Sequence, residues 1–228
     1  MDIAALIITL QVNTNVSYGA AFRKHFDKYV LEIQTIDFAD VELRKLEEKS
    51  IQEIQKSQKT YKEQISNTGH DNPPGVRNWY EFSVFLAGNE AIFECQKQNC
   101  WWNQKMTQKR LAFSLALFVC TLLMFALLLT INENSDNSSL EFILGLSPLA
   151  LKAIERIIEN AKYYHLSIKI SGAEEILTKS KSFDSIKALQ DKIDERRSLP
   201  VLESNLIHSK CANVLSKLYQ KITQKLEH

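Results

Sequence analysis

The stretch LAFSLALFVCTLLMFALLLTI, residues 111–131, decides the fold of this chain. It has no charged side chain, and Ser114, Thr121 and Thr130 are its only hydroxyl-bearing members. Because an α-helix rises about 1.5 Å per residue, a run of about 20 residues spans the roughly 30 Å hydrocarbon core of a bilayer. A core helix of a soluble protein would carry a polar face, which this run lacks. We therefore predict a transmembrane helix over residues 111–131.

The charges that flank this run predict its orientation. Residues 132–139 contain two acidic residues and no basic one, whereas basic residues lie on both outer sides: Lys105, Lys109 and Arg110 before the run, and Lys152, Arg156 and Lys162 after the next apolar stretch. Cytoplasmic flanks of membrane helices are enriched in Lys and Arg. The pattern therefore predicts a hairpin with its tip outside and most of the chain on the cytoplasmic side.

The returning half of the hairpin is shorter. Residues 140–151 are apolar but include Glu141 and Pro148. A run of about 12 residues is typical of a core, interfacial or re-entrant segment. Extension to Ile158 brings the stretch close to the length that a span requires, with Lys152 reaching back to the inner membrane surface. We predict a second, shorter or tilted span, which makes residues 111–158 a transmembrane hairpin.

The rest of the chain reads as helix, so the predicted fold class is mainly α: a transmembrane helical hairpin with a cytoplasmic all-helical domain. Residues 1–40 form an N-terminal segment, in which the apolar run 4–10 is a short strand or the end of a truncated membrane helix and a cytoplasmic helix follows. Residues 41–110 are predicted as cytoplasmic helices leading into the membrane. The first covers 41–66, with Ile51, Ile54, Tyr61 and Ile65 as a narrow apolar stripe; Pro-Pro-Gly at 73–75 breaks the chain, and the second covers 78–110.

Residues 159–225 are predicted as C-terminal cytoplasmic helices. A short strand or a helix end is expected at 168–170, and an amphipathic helix at 184–196 with Asp184 or Ser182 as its N-cap. A last helix at 204–222 carries an apolar stripe with helical spacing: Ile207, Cys211, Val214, Leu215, Leu218 and Ile222. Ile207, Val214, Leu218 and Ile222 are expected to be buried against the rest of the cytoplasmic domain or a second subunit. Residues 226–228 resemble the start of a purification tag.

Composition and motifs give no support for catalysis. The 28 basic and 27 acidic residues leave a net charge of +1, which gives no electrostatic argument for a nucleic acid polymer as partner. Phosphate-binding glycine loops, zinc-protease and hydrolase motifs are absent from the sequence. The four cysteines are interpreted as reduced thiols; a Cys95–Cys100 metal pair is the alternative, although it lacks two further ligands. We expect no enzyme, no cofactor and no metal site.

All three tryptophans lie in two polar-aromatic segments, Trp79-Tyr80 and the stretch around Trp101 and Trp102. Trp101 and Trp102 precede the membrane span by ten and nine residues, fewer than three helical turns, and aromatic residues near the end of a span are typical of an aromatic belt at the membrane surface. The membrane-interface residues would then be Trp101, Trp102, Lys105, Lys109, Arg110 and Lys152. The alternative is a ligand site in which these rings combine with Lys97, Lys105 and Arg110.

Three segments resemble, in the same order, the SMODS-associating four-transmembrane effector family. The first lies within residues 79–110 and shares Trp79, Tyr80, Cys95, Gln96, Asn99, Trp102, Lys105 and Arg110 with the family pattern. The second shares Phe26 and Asp27, where the family leaves its first membrane hairpin. The third shares Gln190, Asp191, Ile193, Arg196, Arg197 and Pro200. Two departures stand out: Asn103 replaces a frequent acid, and two predicted spans replace four, so the first hairpin is truncated or this is a shortened relative.

The resemblance implies an effector of a bacterial antiphage system, in which a cyclase makes a nucleotide messenger and the effector oligomerises and perforates the inner membrane. The expected partners are the lipid bilayer, further copies of this chain and a cyclic nucleotide messenger. The alternative is a non-enzymatic, membrane-tethered helical scaffold or sensor for a cytoplasmic partner.

A messenger would need cations for its phosphates and flat rings for its bases. The segments with both ingredients predict a ligand site made of Arg77, Trp79, Tyr80, Arg196 and Arg197. The alternative is that Trp79 and Tyr80 are core residues after a turn and that the two later arginines cap a helix.

Overall fold

A computed structural model of the chain describes residues 3–33, 40–73, 75–80, 86–131, 138–180, 182–199, 201 and 205–226. Seven α-helices and no strand occur within these ranges, so the prediction of a mainly α fold is confirmed. The helices are α1 (Ile3–Val30), α2 (Asp40–Lys56), α3 (Gln58–Ser66), α4 (Asn89–Ile131), α5 (Ser138–Leu177), α6 (Phe183–Arg197) and α7 (Asn205–Leu226).

Helices α2 and α3 divide the predicted helix at 41–66, with the interruption at Ser57. Their surface carries i,i+3 and i,i+4 ion pairs such as Lys49–Glu53 (3.2 Å), which contribute little because both partners reach solvent. Ile51, Tyr61 and Ile65 of the predicted apolar stripe are exposed.

The predicted helix at 78–110 begins later than expected, at Asn89. Asn78 has φ of 47° and Gly88 has φ of 56°, a left-handed conformation that α-helices exclude. The Gly88 carbonyl then accepts from the Ile92 N–H (3.2 Å), which starts α4. Trp79 and Tyr80 consequently belong to the connection before α4.

The Pro-Pro-Gly break is a tight loop that folds back on the end of α3. Asp71 accepts from the Thr68 N–H (2.6 Å) and hydroxyl (2.9 Å), and these bonds hold the pKa of that carboxyl below its usual value. Gly75 N–H donates to the Thr68 carbonyl (2.7 Å), while Gly69 N–H donates to the Arg77 carbonyl (2.8 Å). This loop positions the segment from Asn78 to Tyr80 against the helices.

Helices α4 and α5 form an antiparallel pair. Asn160 of α5 donates to the Ser114 hydroxyl (3.0 Å), and Ser171, farther along α5, meets Gln104, which lies earlier on α4 (3.4 Å). The apolar run of α4 therefore lies beside the first half of α5. The expected strand or helix end at 168–170 is wrong, because α5 continues without a break to Leu177.

In the described part of the chain, one helix, α4, is long and apolar enough to cross a membrane by length and composition. None of its most apolar 18-residue window is buried, and residues such as Leu117, Val119 and Leu123 project outward. Exposure of such an apolar surface to water is unfavourable, whereas contact with lipid tails does not carry this cost. The tip of the predicted hairpin, 132–137, lies outside the described residues, and the second span at 140–158 remains a prediction.

The main hydrophobic core joins α4, α5, α6 and the residues that follow α1. Its centre is formed by Leu31, Ile33, Phe93, Ile170, Ile186, Leu189 and Ile193. Helix α6 begins as predicted at an N-cap, since Ser182 accepts from the Ser185 N–H (3.2 Å). Buried Gln96 of α4 donates to the Ile186 carbonyl (3.1 Å) and to the Gln190 side chain (3.1 Å), which fixes α6 on α4.

Helix α7 forms where its apolar spacing predicts a helix, and only part of the predicted stripe is buried. Ile207 and Leu215 pack against Met106 of α4, but Val214, Leu218 and Ile222 are 64%, 44% and 38% exposed. Residues four apart lie on one helical face, and the face through Leu215 is adjacent to the face through Leu218. The face through Leu215 packs on α4, and the face through Leu218 does not. The prediction that Val214, Leu218 and Ile222 are buried is therefore wrong for burial within this chain.

Candidate functional site

A cleft of about 640 Å³ opens where α1, the 67–80 loop, α4, α6 and α7 meet. Each element contributes side chains that the local fold brings there. The loop supplies Trp79 and Tyr80, and α4 supplies Asn99 and Trp102, which lie three residues apart and thus on one face. The lining also includes Arg23 and Asp27 of α1, Arg197 of α6 and His208 of α7.

One wall of the cleft is aromatic. The rings of Trp79 and Trp102 meet edge to face, with centroids 5.9 Å apart, and Trp102 packs in the same way on His208 at 5.5 Å. Gln98 donates to the Trp79 carbonyl (2.9 Å), which holds the loop on α4. The Trp102 indole N–H is buried without a hydrogen-bond partner among the described residues. An acceptor on a bound molecule could therefore satisfy it.

Another part of the lining, at the contact of α1 with α6, carries charge. Arg197 donates to the Asp27 carboxylate at 2.7 Å, with less than a tenth of either side chain exposed. Gln190 also donates to Asp27 (2.9 Å), and Arg197 lies 3.5 Å from Asp194. Arg23 is exposed at the same end and has no side-chain partner within the described ranges. Two guanidinium groups and one carboxylate thus face this part of the cleft.

Behind the lining, Arg196 is fully buried and donates to the Asn99 side-chain oxygen (3.3 Å). Burial lowers the pKa of Arg196, although a guanidinium keeps its charge at neutral pH. Burial also raises the pKa of the Tyr80 phenol, and a hydrogen bond with Asn99 opposes that rise. Hydrogen bonds therefore link Arg196, Asn99 and Tyr80. From its place in the core, Arg196 helps to orient the two cleft residues Asn99 and Tyr80.

The family model of the SMODS-associating 4TM effector domain matches residues 3–225. This chain belongs to that family. The match covers α1 and almost all of α7, including every element that lines the cleft. No curated protein and no solved structure shows significant similarity to the chain. Membership implies a membrane effector domain of a nucleotide-signalled defence system, in agreement with the apolar helix α4.

The effector's structure brings three of the five predicted ligand residues together, since Trp79, Tyr80 and Arg197 all line the cleft. Arg77 does not line it; its guanidinium meets the Ser66 carbonyl at 3.4 Å on the loop surface. Arg196 does not line it either, because it lies in the core. The ligand role of the five residues stays a prediction.

Several residues of the cleft lie outside the predicted site. Asp27, Asn99 and Trp102 belong to the family resemblance, so the sequence does carry a signal for them, although not for a ligand role. Arg23 and His208 carry no local signal, because surface arginines and lone histidines on helices are common. Asn103, where the family often has an acid, also lines the cleft.

The residues predicted for the membrane interface occupy varied positions in this effector. Trp101 packs on Tyr219 of α7 with centroids 5.0 Å apart, and Trp102 belongs to the cleft. Arg110 is buried, and Lys105 is half-buried. Lys109 and Lys152 are exposed, with Lys152 paired to Glu155 (2.6 Å). A lipid contact at these positions stays a prediction.

The cysteines of the effector are free thiols. Burial raises the pKa of both Cys95 and Cys100 to about 12, so neither is a thiolate nucleophile at neutral pH. In the ranges that the structure describes, His, Cys, Asp and Glu do not form a group of three suited to a metal ion. The Cys95–Cys100 metal pair therefore finds no third ligand there.

Proposed function

We propose that this chain is a non-enzymatic, pore-forming effector of a bacterial antiphage system that oligomerises in the inner membrane when a cyclic nucleotide messenger binds its cytoplasmic side. The observation that carries the proposal is the composition of α4. Its first half contributes Asn99 and Trp102 to a polar, aromatic cleft, and its second half is an uncharged helix with outward-facing apolar side chains. A ligand site and a membrane element thus share one continuous helix.

The membrane arrangement in this proposal is a hairpin of α4 and the first half of α5. The antiparallel contact between Ser114 and Asn160 supports it, as does the acidic character of residues 132–139 between basic flanks. Lys109 and Lys152 would then lie near the cytoplasmic membrane surface on the two arms. This orientation puts the cleft in the cytoplasm, where a cyclase product would accumulate.

Oligomerisation belongs to the proposal on geometric grounds. Two helices cannot enclose a water-filled path, so perforation requires several copies around a common axis. Contacts between copies would use the side chains of α4 that no other part of the described chain covers, such as Leu115, Leu122 and Leu127. Close packing and mild polar groups such as Thr121 would hold such helices together in lipid.

Dye release from liposomes tests this function. The full chain is reconstituted in vesicles that contain a self-quenching dye, and 3′,3′-cyclic di-AMP, 3′,3′-cyclic di-GMP and cyclic trinucleotides are added separately. We expect release with one of them and none without. The variant Leu123→Arg should lose release, because an arginine at the centre of a span opposes insertion by about 2.5–3.5 kcal/mol. Leu123→Ile is the matched control that keeps it.

A membrane-tethered scaffold is the second candidate function, and the exposed apolar face of α7 supports it. Val214, Leu218 and Ile222 project from the cytoplasmic domain at four-residue spacing, which suits a helix-in-groove partner. A scaffold would hold its partner while the vesicles stay sealed under every messenger. The same liposome experiment therefore separates the two candidates.

A further inference from the structure

The ion pair between Asp27 and Arg197 is part of the wall of the cleft, and it joins two helices. Asp27 lies on α1 and Arg197 at the end of α6, and both residues line the cleft. Their 2.7 Å contact is almost fully shielded from water. The Asp27 carboxylate thus binds the Arg197 guanidinium, which is the group that an anionic ligand in the cleft would also bind.

A phosphate is the natural competitor for this position. Arg197 can bind a phosphate through two parallel N–H donors, the geometry for which a guanidinium is suited. Arg23 lies one helical turn before Asp27 on α1, lines the same end of the cleft, and has no partner within the described ranges. A phosphate there would meet two guanidinium groups, whereas among the described residues Asp27 is bound by Arg197 and by the neutral amide of Gln190.

We infer that a nucleotide phosphate entering the cleft replaces the Asp27 carboxylate at Arg197 and thereby releases α1 from α6. This inference rests on the proposed function, because it takes the ligand to be the nucleotide messenger. The ring faces of Trp79 and Trp102 are each large enough for a base to stack on, and the indole N–H of Trp102, unpartnered among the described residues, provides a donor for an acceptor on the ligand.

The release of α1 follows from the cost of a buried unpaired charge. Asp27 is 4% exposed, so without Arg197 its carboxylate would remain in the interior with only the neutral Gln190 amide to compensate it. Movement of α1 toward water removes that cost. Among the described helices, α1 packs on α2 and α6, so the contact with α6 is a large part of what holds it on the main hydrophobic core.

Binding measurements on the full chain in lipid nanodiscs test the exchange. The probes are 3′,3′-cyclic di-AMP, 3′,3′-cyclic di-GMP and inorganic pyrophosphate, measured by calorimetry and by quenching of tryptophan fluorescence. Asp27→Asn removes the competing charge, so for whichever probe binds it should lower the dissociation constant roughly tenfold. Arg197→Gln should raise that dissociation constant by at least as much. Asp191→Asn, the same change at an exposed site on α6, should leave the affinity unchanged.

Hydrogen exchange of the unmodified protein gives a readout that needs no variant. Saturation with the bound probe should increase exchange at the amides of residues 23–30 and decrease it in the 75–80 loop.

Binding that leaves exchange in α1 unchanged, equal affinity of the parent and Asp27→Asn, or no binding of any probe would each overturn the inference. Probe binding with the expected Asp27→Asn effect but sealed vesicles would instead refute only the pore. Messenger-dependent release that is indifferent to Asp27 and Arg197 would refute only the exchange.

Discussion

Asn160 of α5 donates a hydrogen bond of 3.0 Å to the hydroxyl of Ser114, which lies in the uncharged run of α4. Asn160 also donates to the Arg156 carbonyl one turn earlier, and its side chain is almost fully buried. This contact fixes how far α5 is displaced along α4. Without the bond to Ser114, the buried Asn160 amide would keep the Arg156 carbonyl as an acceptor and would lose its polar link to α4.

The first prediction concerns this hydrogen bond. Asn160→Leu should lower the free energy of unfolding by about 0.5–2 kcal/mol, the range for interhelical hydrogen bonds. Ser114→Ala should cost a similar amount, and the double variant should cost less than the sum of the two because they share one bond. Unfolding in mixed micelles measures the three values. Strict additivity would show that the two side chains do not interact.

The second prediction concerns topology. In a background without native cysteines, Ser135→Cys in the acidic segment 132–139 should react with a membrane-impermeant maleimide in intact cells. Glu175→Cys, at an exposed position of α5, should react only after the membrane is opened. Labelling of both positions or neither in intact cells would contradict a hairpin with its tip outside.

The third prediction compares two leucines of α7. Leu215→Ala should lower the unfolding free energy by about 2–5 kcal/mol, because Leu215 is 4% exposed and packs on the core. Leu218→Ala should change it by less than about 0.5 kcal/mol, since that side chain is 44% exposed. Thermal unfolding at low protein concentration measures both. An equal loss for Leu218→Ala would show that another surface covers it.

The fourth prediction concerns the loop that carries Trp79. A Cβ on Gly75 would clash with the Asn67 carbonyl oxygen and lie 2.6 Å from that of Gln64, both of which are backbone atoms. Gly75→Ala should therefore cost roughly 1–3 kcal/mol and displace the loop from the cleft. Gly172→Ala, with open space around it on α5, should stabilise the helix by about 0.5–1 kcal/mol. Calorimetric unfolding measures the stability of both variants, and Trp79 fluorescence reports displacement of the loop. An unchanged unfolding free energy for Gly75→Ala would contradict the loop geometry.

The fifth prediction concerns pH. Burial raises the pKa of Asp194 above its usual 3.8, although Arg197 and Gln190 oppose the rise. The folded state therefore favours the protonated carboxyl, and this contribution to stability is complete below pH 3.8 and is lost as the pH rises through the higher folded value. Asp194→Asn imitates the neutral form, so its unfolding free energy should fall less than that of the parent between about pH 4 and 7. Parallel curves for the two proteins would contradict the raised pKa.

Local patterns in the sequence are sufficient to predict most of the helices. The absence of charge over residues 111–131 identifies the apolar half of α4, and the spacing of Ile186, Leu189 and Ile193 identifies α6 and its buried face. These features depend on neighbours within two or three turns, which a sequence displays directly. The predicted start of α4 is wrong because Asn78 and Gly88 adopt left-handed conformations. Asn and Gly tolerate this conformation best, but both also occur within helices, so their presence alone does not fix where the helix begins.

The cleft is only partly predictable for a related reason. The choice of Trp79, Tyr80 and Arg197 as candidate ligand residues needs only their chemistry, because they are aromatic and cationic residues near breaks in helices. The exclusion of Arg196 depends on helical phase within a packed core, since adjacent residues on a helix point about 100° apart. The arrival of Arg23 beside Arg197 depends on how α1 packs, and because the two residues lie near opposite ends of the chain they leave no local pattern.

Helix α4 has one mechanical property that its length and continuity impose. It runs for 43 residues without an internal proline or glycine, a stiff rod of about 65 Å whose first part packs on other helices and whose apolar part is long enough to cross a membrane. A rotation imposed on the helix at Asn99 would therefore be transmitted toward Val119. A twist of about 50°, half the angle between successive residues, would exchange the row of side chains that one copy turns toward the next.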